Sequence, residues 1–235
     1  MKPPSRRNFL LASSGAAAGS MLISGLLEGQ ESEDYFAKSG LVTGVPKPLR
    51  HESIPGFLSA AQIAPHFNAH YGGALKGYTA IDEKLEASIK SDTAIDANAY
   101  LAMQHAKSSK GNSVILHELY FDGLATKVVD PGEDVRTAIE KRFGSIDKWA
   151  NDFQASAKAA AGWAMLVRHP VNGRLYNLVS DEHAMGVMWM AVPIIVIDTY
   201  EHAFYIDYQN RKTEYVEKFM GFIDWDEANR RFRNA

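Results

Sequence analysis

The stretch AVPIIVIDTYEHAFYIDYQN, residues 191–210, joins an apolar run to a cluster of ionisable and aromatic side chains. Its first part, Pro193 to Ile197, is rich in β-branched residues and predicts a buried strand. Asp198 ends that strand, and Glu201 and His202 follow within four residues. Because a buried carboxylate is costly unless it is paired, Asp198 indicates either a metal ligand or a cap for the next helix.

The composition limits the kind of site that this chain can build. The chain has 235 residues, 46% of them hydrophobic, which is enough for one domain or two small ones. Its net charge of −3 argues against a nucleic-acid surface, so no nucleic-acid partner is expected. With no cysteine and eight histidines, a metal site must use nitrogen and oxygen ligands, which favours Fe, Mn or Zn.

The first residues have the pattern of a targeting signal. Paired arginines, Arg6 and Arg7, stand directly before a weakly apolar run from Leu11 to Leu27 that is rich in Ala, Gly and Ser. This pattern predicts a twin-arginine export signal over residues 1–28, with the twin-arginine export machinery as a partner. The expected location is the periplasm or another exported compartment, and an uncleaved anchor remains an alternative.

The rest of the chain divides into a helical part and a mixed part. Residues 29–56 lack sustained periodicity and predict a linker or an extended arm. The pattern over residues 57–128 predicts an N-terminal helical hairpin domain. Its helices are expected in three blocks, which start at Ser59, near Ile95 and near Ser113, with a break between Lys107 and Ser113. Residues 129–235 predict a C-terminal domain with two helices, a hairpin turning at residues 170–173, a third strand and C-terminal helices. The predicted fold class is therefore α+β.

Histidines in the helical part supply further candidate ligands. His66 and His70 lie at i and i+4, on one face of a predicted helix, although lone helical histidines are usually ordinary surface or core residues. His117 lies in an almost wholly apolar turn, where a buried imidazole needs a hydrogen bond or a metal. Together with the end of the predicted strand, the candidate metal ligands are His66, His117, Asp198 and His202.

This order of residues resembles the iron/manganese superoxide dismutase family over roughly residues 54–232. The most specific match is DTYEHAFY, residues 198–205, against the family's D-x-W-E-H-A-Y-Y. The other matches are Gly162-Trp163, His117 followed by Leu119-Tyr120-Phe121, the His66-x3-His70 pair, Tyr208-Gln209-Asn210 and Tyr215. The resemblance implies an N-terminal helical hairpin followed by helices around a small antiparallel sheet.

The resemblance also implies a chemistry. His66, His117, Asp198 and His202 are expected to bind one Fe or Mn ion per subunit, with a solvent molecule as a fifth ligand. The substrate is expected to be superoxide, which the enzyme converts to dioxygen and hydrogen peroxide. The family resemblance further implies a homodimer or a homotetramer.

Other site roles follow from the same resemblance. Glu201 is expected to reach across a dimer interface to a ligand histidine, and His70 and Tyr205 are expected to form a second pair between subunits. Trp163, with Tyr120 and Phe121, is expected to form an aromatic wall that keeps the site dry; the plain alternative is a set of core aromatics. The candidates for a basic rim are Lys76, Arg211 and Lys212, for which solvated surface charge is the alternative.

The chain departs from the family pattern at several positions. Ala74 stands where a channel tyrosine is usual, with Tyr71 and Tyr78 nearby, so proton delivery is in question. Ser113 stands where iron-type members place a glutamine, and His183 stands where manganese-type members place one. We expect His183 to take the role of that glutamine, with the small Ser113 leaving room for it. The alternative for His183 is an exposed loop histidine. Tyr200, where the family prefers tryptophan, keeps the site wall aromatic.

Three other functions compete with that of a dismutase. The first is an exported metal-binding protein of the same fold with little or no dismutase activity, since Ala74 replaces the channel tyrosine. A ferritin-like di-iron bundle requires two Glu-x-x-His motifs, and the chain has none. A zinc hydrolase requires a glutamate directly after the first histidine of the His66-x3-His70 pair, and Phe67 stands there.

Overall fold

The computed structural model of the protein describes residues 36–235, so the predicted export signal lies outside the described residues. The described residues belong to one compact unit, and the predicted division into residues 57–128 and 129–235 stays a prediction. Among the helices of this part of the chain, none has both the length and the apolar character that crossing a membrane requires.

The first half of the described chain is helical. Its elements are α1 (Gly40–Thr43), α2 (Ala60–Pro65), a π-helical segment (His66–Tyr71), α3 (Gly72–Lys90) and α4 (Ala97–Asp122). Ser59 caps α2 through the Gln62 amide at 3.1 Å, as its position in the sequence predicts. Helices α3 and α4 form the predicted hairpin, and Asp96 caps α4 through the Ala99 amide at 2.8 Å.

The predicted break between Lys107 and Ser113 is wrong, because α4 runs through it without interruption. The polar sequence KSSKGNS has weak helix propensity, but contacts with α3 hold it in the helix. Lys107 pairs with Asp82, and Gly111 lies so close to Tyr78 that an added Cβ would sit 3.2 Å from its ring. Tertiary contacts thus override local propensity here.

The second half surrounds a small sheet with helices. Its elements are α5 (Glu133–Phe143), α6 (Ile146–Ala159), β1 (Trp163–His169), β2 (Arg174–Ser180), β3 (Val192–Asp198), a 3₁₀ turn (Glu201–Ala203), α7 (Tyr205–Tyr208), α8 (Lys212–Phe219) and α9 (Trp225–Arg233). The sheet is antiparallel with the order β2-β1-β3. The predicted α+β fold class is confirmed.

The register of the sheet places two site residues side by side. Trp163, the first residue of β1, is paired with Asp198, the last residue of β3. Tyr215 of α8 supports this strand end, because its hydroxyl donates to the Asp198 carbonyl at 2.8 Å and lies 3.0 Å from the Tyr120 hydroxyl of α4. The end of β3 and the helices α4 and α8 thus meet in one buried core.

The segment before α2 is tied to the helical hairpin. The Gly40 amide donates to Glu118 Oε1 at 2.8 Å, and the Tyr71 hydroxyl donates to the same oxygen at 2.8 Å. The Lys47 amide donates to the Tyr71 hydroxyl at 2.7 Å. The described part of the predicted arm is therefore held by specific contacts and contains the short helix α1.

The connection from β2 to β3 exposes a run of large apolar side chains. Trp189 has 91% of its side chain in solvent, and its carbonyl lies 3.1 Å from His169 Nε2. Its exposed apolar neighbours are Met185, Val187, Met188 and Met190. The other three tryptophans, Trp149, Trp163 and Trp225, are buried.

Candidate metal centre

Four candidate ligands from four elements converge at one point. The ligand atoms of His66, His117, Asp198 and His202 all lie within 4.8 Å of one another. His66 opens the π-helical segment, His117 lies late in α4, Asp198 ends β3 and His202 sits in the 3₁₀ turn. The first three are buried, and His202 has 20% of its side chain exposed.

The nitrogen atoms of the cluster point at one carboxylate oxygen. His66 Nε2 lies 3.1 Å from Asp198 Oδ2, and His202 Nε2 lies 3.2 Å from the same atom. His117 Nε2 lies 3.7 Å from it. Three imidazole nitrogens around one carboxylate oxygen form a donor set that suits a divalent or trivalent Fe or Mn ion.

His117 provides a direct test of whether a cation fits. Its Nδ1 lies 2.7 Å from the Ser113 carbonyl, so Nδ1 carries the proton and Nε2 has a free lone pair. Nε2 is buried and, among the residues that the structure describes, has no hydrogen-bond partner. An orphaned buried acceptor is rare in folded proteins. A metal ion at the centre of the cluster would satisfy it.

Burial sets the protonation of the cluster. Burial lowers the pKa of His66, and it lowers the pKa of His117 to about 3. Burial alone raises the pKa of Asp198, but hydrogen bonds from His202 and His66 outweigh it and hold that pKa well below its usual range. Near neutral pH these two imidazoles are neutral and the carboxylate is ionised, as metal binding requires.

Aromatic side chains enclose the cluster. The rings of Tyr120 and Phe121 lie 5.4 and 4.8 Å from the His66 ring. The Trp163 ring meets the His117 ring edge-on at 5.0 Å, and the Tyr200 ring stacks on His202 at 5.2 Å. The three residues predicted for the aromatic wall therefore surround the candidate ligands, with Tyr200 as a fourth.

His183 lies beside this wall in the β2–β3 connection. Its ring is half-buried, 6.4 Å from the His117 ring and 5.3 Å from the Tyr200 ring. Trp163 Nε1 donates to His183 Nδ1 at 2.9 Å. Burial lowers the pKa of His183, so the ring is neutral near pH 7 and its proton resides on Nε2. Ser113 is small and buried beside His117, with its hydroxyl 3.3 Å from Nδ1.

The residues predicted to act between subunits lie at the surface. His70 is an exposed residue, but one face of its ring stacks on the His202 ring at 3.8 Å. This partial burial, followed by the nearby His202, lowers the pKa of His70 to about 4. Glu201 is exposed, and Tyr205 is 50% exposed. Glu201 and Tyr205 line an open cavity of about 730 Å³, together with His202 and Lys212. Their roles between subunits stay predictions.

The neighbourhood of Ala74 bears on the missing channel tyrosine. Ala74 itself is buried in the core. The Tyr71 ring lies 6.3 Å from the His117 ring, but its hydroxyl is engaged by Glu118 and the Lys47 amide. The Tyr78 ring lies beneath Lys107 Nζ at 5.7 Å. The Tyr71 hydroxyl is thus held between Glu118 of α4 and the Lys47 amide of the arm.

Two contacts of the site were not predicted from the sequence. Asn112 Nδ2 donates to the His183 carbonyl at 2.9 Å. Its position one residue before Ser113 on α4 is the only sequence signal for this role. Lys212, considered only as a possible rim charge, donates from Nζ to the Ala160 carbonyl, and burial lowers its pKa. It therefore has a partly buried structural contact as well as a place in the cavity wall.

Comparison with known proteins gives a consistent result. A family profile described as "Iron/manganese superoxide dismutases, C-terminal domain" matches residues 131–231. The chain is 37% identical to "Superoxide dismutase [Fe]" of Aquifex aeolicus over 191 residues, which cover 80% of this chain and 89% of that protein. It is 35% identical to "Superoxide dismutase [Fe]" of Cupriavidus metallidurans over 76% of this chain and 90% of the relative. It is 30% identical to "Superoxide dismutase [Mn] 2" of Haloferax volcanii, over 81% of this chain and 94% of that relative.

Proposed function

The chain belongs to the iron/manganese superoxide dismutase family, and from that premise we propose that it converts superoxide to dioxygen and hydrogen peroxide. The observation that carries the proposal is the convergence of His66, His117, Asp198 and His202 around the unpartnered His117 Nε2. These residues would hold one Fe or Mn ion. When bound, that ion would supply the one-electron redox chemistry that the disproportionation of superoxide needs.

The side chains of the protein prepare the site for this chemistry. Burial keeps His66 and His117 neutral, and hydrogen bonds keep Asp198 ionised, so these three groups need lose no proton to bind an ion near pH 7. The aromatic wall, with Trp163 and Tyr200, excludes bulk water and raises the strength of electrostatic interactions inside the site.

We assign His183 the hydrogen-bonding role that the family gives to a glutamine. Because Trp163 donates to Nδ1, the neutral ring can only donate from Nε2. A single fixed hydrogen-bond donor next to a redox centre changes the relative stability of the oxidation states of that centre. It also places a proton near the position where the product peroxide forms. Ser113 is compatible with this role because its side chain is small and buried, with its hydroxyl 3.3 Å from His117 Nδ1.

Export and assembly complete the proposal. The paired Arg6 and Arg7 before an apolar run support export through the twin-arginine machinery to the periplasm or another exported compartment. A homodimer or homotetramer is supported by the exposure of Tyr205, Glu201 and His70 beside the partly exposed His202. Sedimentation of the purified protein tests the assembly. A monomer at working concentration contradicts it.

A second candidate function is metal binding with slow or no turnover. The observation in its favour is Ala74, together with the commitment of the Tyr71 hydroxyl to Glu118 and Lys47. Without a channel tyrosine, a proton donor is missing from the place where the family usually has one. The two functions differ in activity per bound ion.

The decisive experiment measures metal content per subunit and superoxide dismutation rate on protein exported with its own signal. About one Fe or Mn per chain with fast turnover is the expected result. Stoichiometric metal with negligible turnover favours the binding protein. A chain with neither Fe nor Mn contradicts the ligand assignment. The variant His117→Gln, which lacks the unpartnered nitrogen, should lose most of its metal, whereas the exposed His105→Gln should retain it.

A further inference from the structure

We propose that Asn112 on α4 is a positioning residue for His183, holding the backbone of the 182–183 turn so that the His183 ring stays against Trp163. The inference rests on the role proposed above for His183 and adds the residue that fixes its place. It follows from the conformation of the turn and from the contacts that hold it.

The turn that carries His183 has an unfavourable backbone. Glu182 has φ 49° and His183 has φ 62°, so two consecutive residues other than glycine adopt the left-handed conformation. Such residues persist only where surrounding contacts determine their conformation, and they concentrate at functional sites. The turn therefore needs anchors, and its contacts identify them.

The base of the turn is closed by backbone bonds. Asp181 and Met185 exchange two hydrogen bonds, at 3.0 and 2.8 Å, and Asp181 Oδ1 accepts from the Ala161 amide at 2.9 Å. The Ala184 amide also donates to the Asp181 carbonyl at 3.1 Å, and the Tyr200 side chain is hydrogen-bonded to the Glu182 backbone. None of these contacts reaches the His183 carbonyl, so that peptide keeps conformational freedom unless another group binds it.

Asn112 reaches that peptide from the neighbouring helix. Its Nδ2 donates to the His183 carbonyl at 2.9 Å, whereas Ser109 makes only a long contact of 3.5 Å with the Glu182 carbonyl. Ser109, Asn112 and Ser113 are spaced so that they share a face of α4 with His117. One rigid helix therefore presents a candidate metal ligand and holds the backbone of its neighbour His183.

The two anchors of His183 act on different parts of the residue. Trp163 of β1 binds the ring at Nδ1 at 2.9 Å, and Asn112 of α4 binds the carbonyl. Loss of the carbonyl anchor frees the strained turn to relax, and the ring then leaves its position beside the ligands. Precise placement of groups around a metal depends on such supporting contacts.

The test compares Asn112→Leu, which keeps the size of the side chain and removes the amide, with the parent holoenzyme. The control is Asn151→Leu at an exposed position of α6. Asn112→Leu should bind about one metal per chain, like the parent, while the rate falls about ten-fold and the reduction potential and paramagnetic resonance spectrum of the metal change. The control should match the parent in each measurement.

A double-mutant cycle with His183→Ala separates positioning from stability. If Asn112 acts through His183, Asn112→Leu changes neither rate nor potential once His183 is alanine. An equal loss in both backgrounds overturns the proposal and leaves Asn112 a purely structural role. Asn112→Ser repeats the cycle should the leucine variant fail to fold.

The same cycle distinguishes this inference from the function on which it rests. If His183→Ala changes the potential and Asn112→Leu does not, only the positioning role is overturned. If His183→Ala leaves both rate and potential unchanged, the role of His183 fails, and the positioning role fails with it. If the metal content of every variant is zero, the ligand assignment itself is contradicted.

Discussion

At the scale of the residue, burial of the candidate ligands couples stability to pH. His117 has a folded pKa of about 3 against 6.5 for an exposed histidine, and the pKa of His66 is lowered as well. Between these values the unfolded chain binds protons that the folded chain does not. The free energy of unfolding therefore falls as pH decreases below about 6.5, by up to about 1.4 kcal/mol per pH unit for each such histidine.

We predict that the metal-free protein is less stable at pH 5 than at pH 7.5, as measured by denaturant unfolding at both values. Asp198 does not contribute in this window, because its pKa is lowered and its effect is confined to more acidic solutions. His117→Gln should reduce the dependence without removing it, because the pKa values of His66 and His70 are lowered as well, whereas the exposed His105→Gln should leave it intact. A metal-free protein whose stability is the same at both pH values contradicts the buried neutral histidines.

At the scale of the element, we expect the substitution of glycine by alanine to have opposite effects on stability at two positions. Gly73 is exposed inside α3, and nothing in the described chain lies within 4 Å of an added Cβ. Gly73→Ala should stabilise the protein by about 1 kcal/mol, the helix-propensity difference. Gly162 precedes β1, and its added Cβ would lie 2.6 Å from the Ser180 carbonyl oxygen.

Gly162→Ala should therefore destabilise the protein by about 1–3 kcal/mol, because the backbone of β2 must shift. Thermal unfolding of the two variants beside the parent checks both signs. Since Trp163 follows Gly162 directly, metal content should fall in Gly162→Ala and stay unchanged in Gly73→Ala. Equal melting temperatures for the two variants would show that the close approach at Gly162 does not constrain the fold.

Elements with local signals could be predicted from the sequence, and those that depend on tertiary contacts could not. The Ser59 cap, the turn at residues 170–173 and the buried strand ending at Asp198 each carry a short-range pattern. The continuity of α4 depends on Asp82 and Tyr78 of the neighbouring helix, which no local pattern reports. The π-helical segment at His66–Tyr71 likewise lacks a propensity signal.

At the scale of the whole molecule, one part of the site could likewise be predicted from the sequence and another part could not. Its ligand candidates follow from residue types and order, because chemistry restricts which side chains hold such an ion. The support of His183 does not, since it requires Asn112 of α4, Trp163 of β1 and a left-handed turn to meet in space. Residues distant in sequence are brought together only by the packing of the helices on the sheet.

The solitary exposure of Trp189 gives the protein a built-in optical reporter. Trp189 is 91% exposed, whereas Trp149, Trp163 and Trp225 are buried, so emission should contain a long-wavelength component accessible to iodide and a shielded component at shorter wavelength. Trp189→Phe should abolish the iodide-sensitive component alone, which steady-state quenching can check. Because Trp163 lies 5.0 Å from the His117 ring, metal loading should dim the shielded component and spare the other. One fluorescence spectrum then reports the occupancy of the centre against an internal standard carried by the same chain.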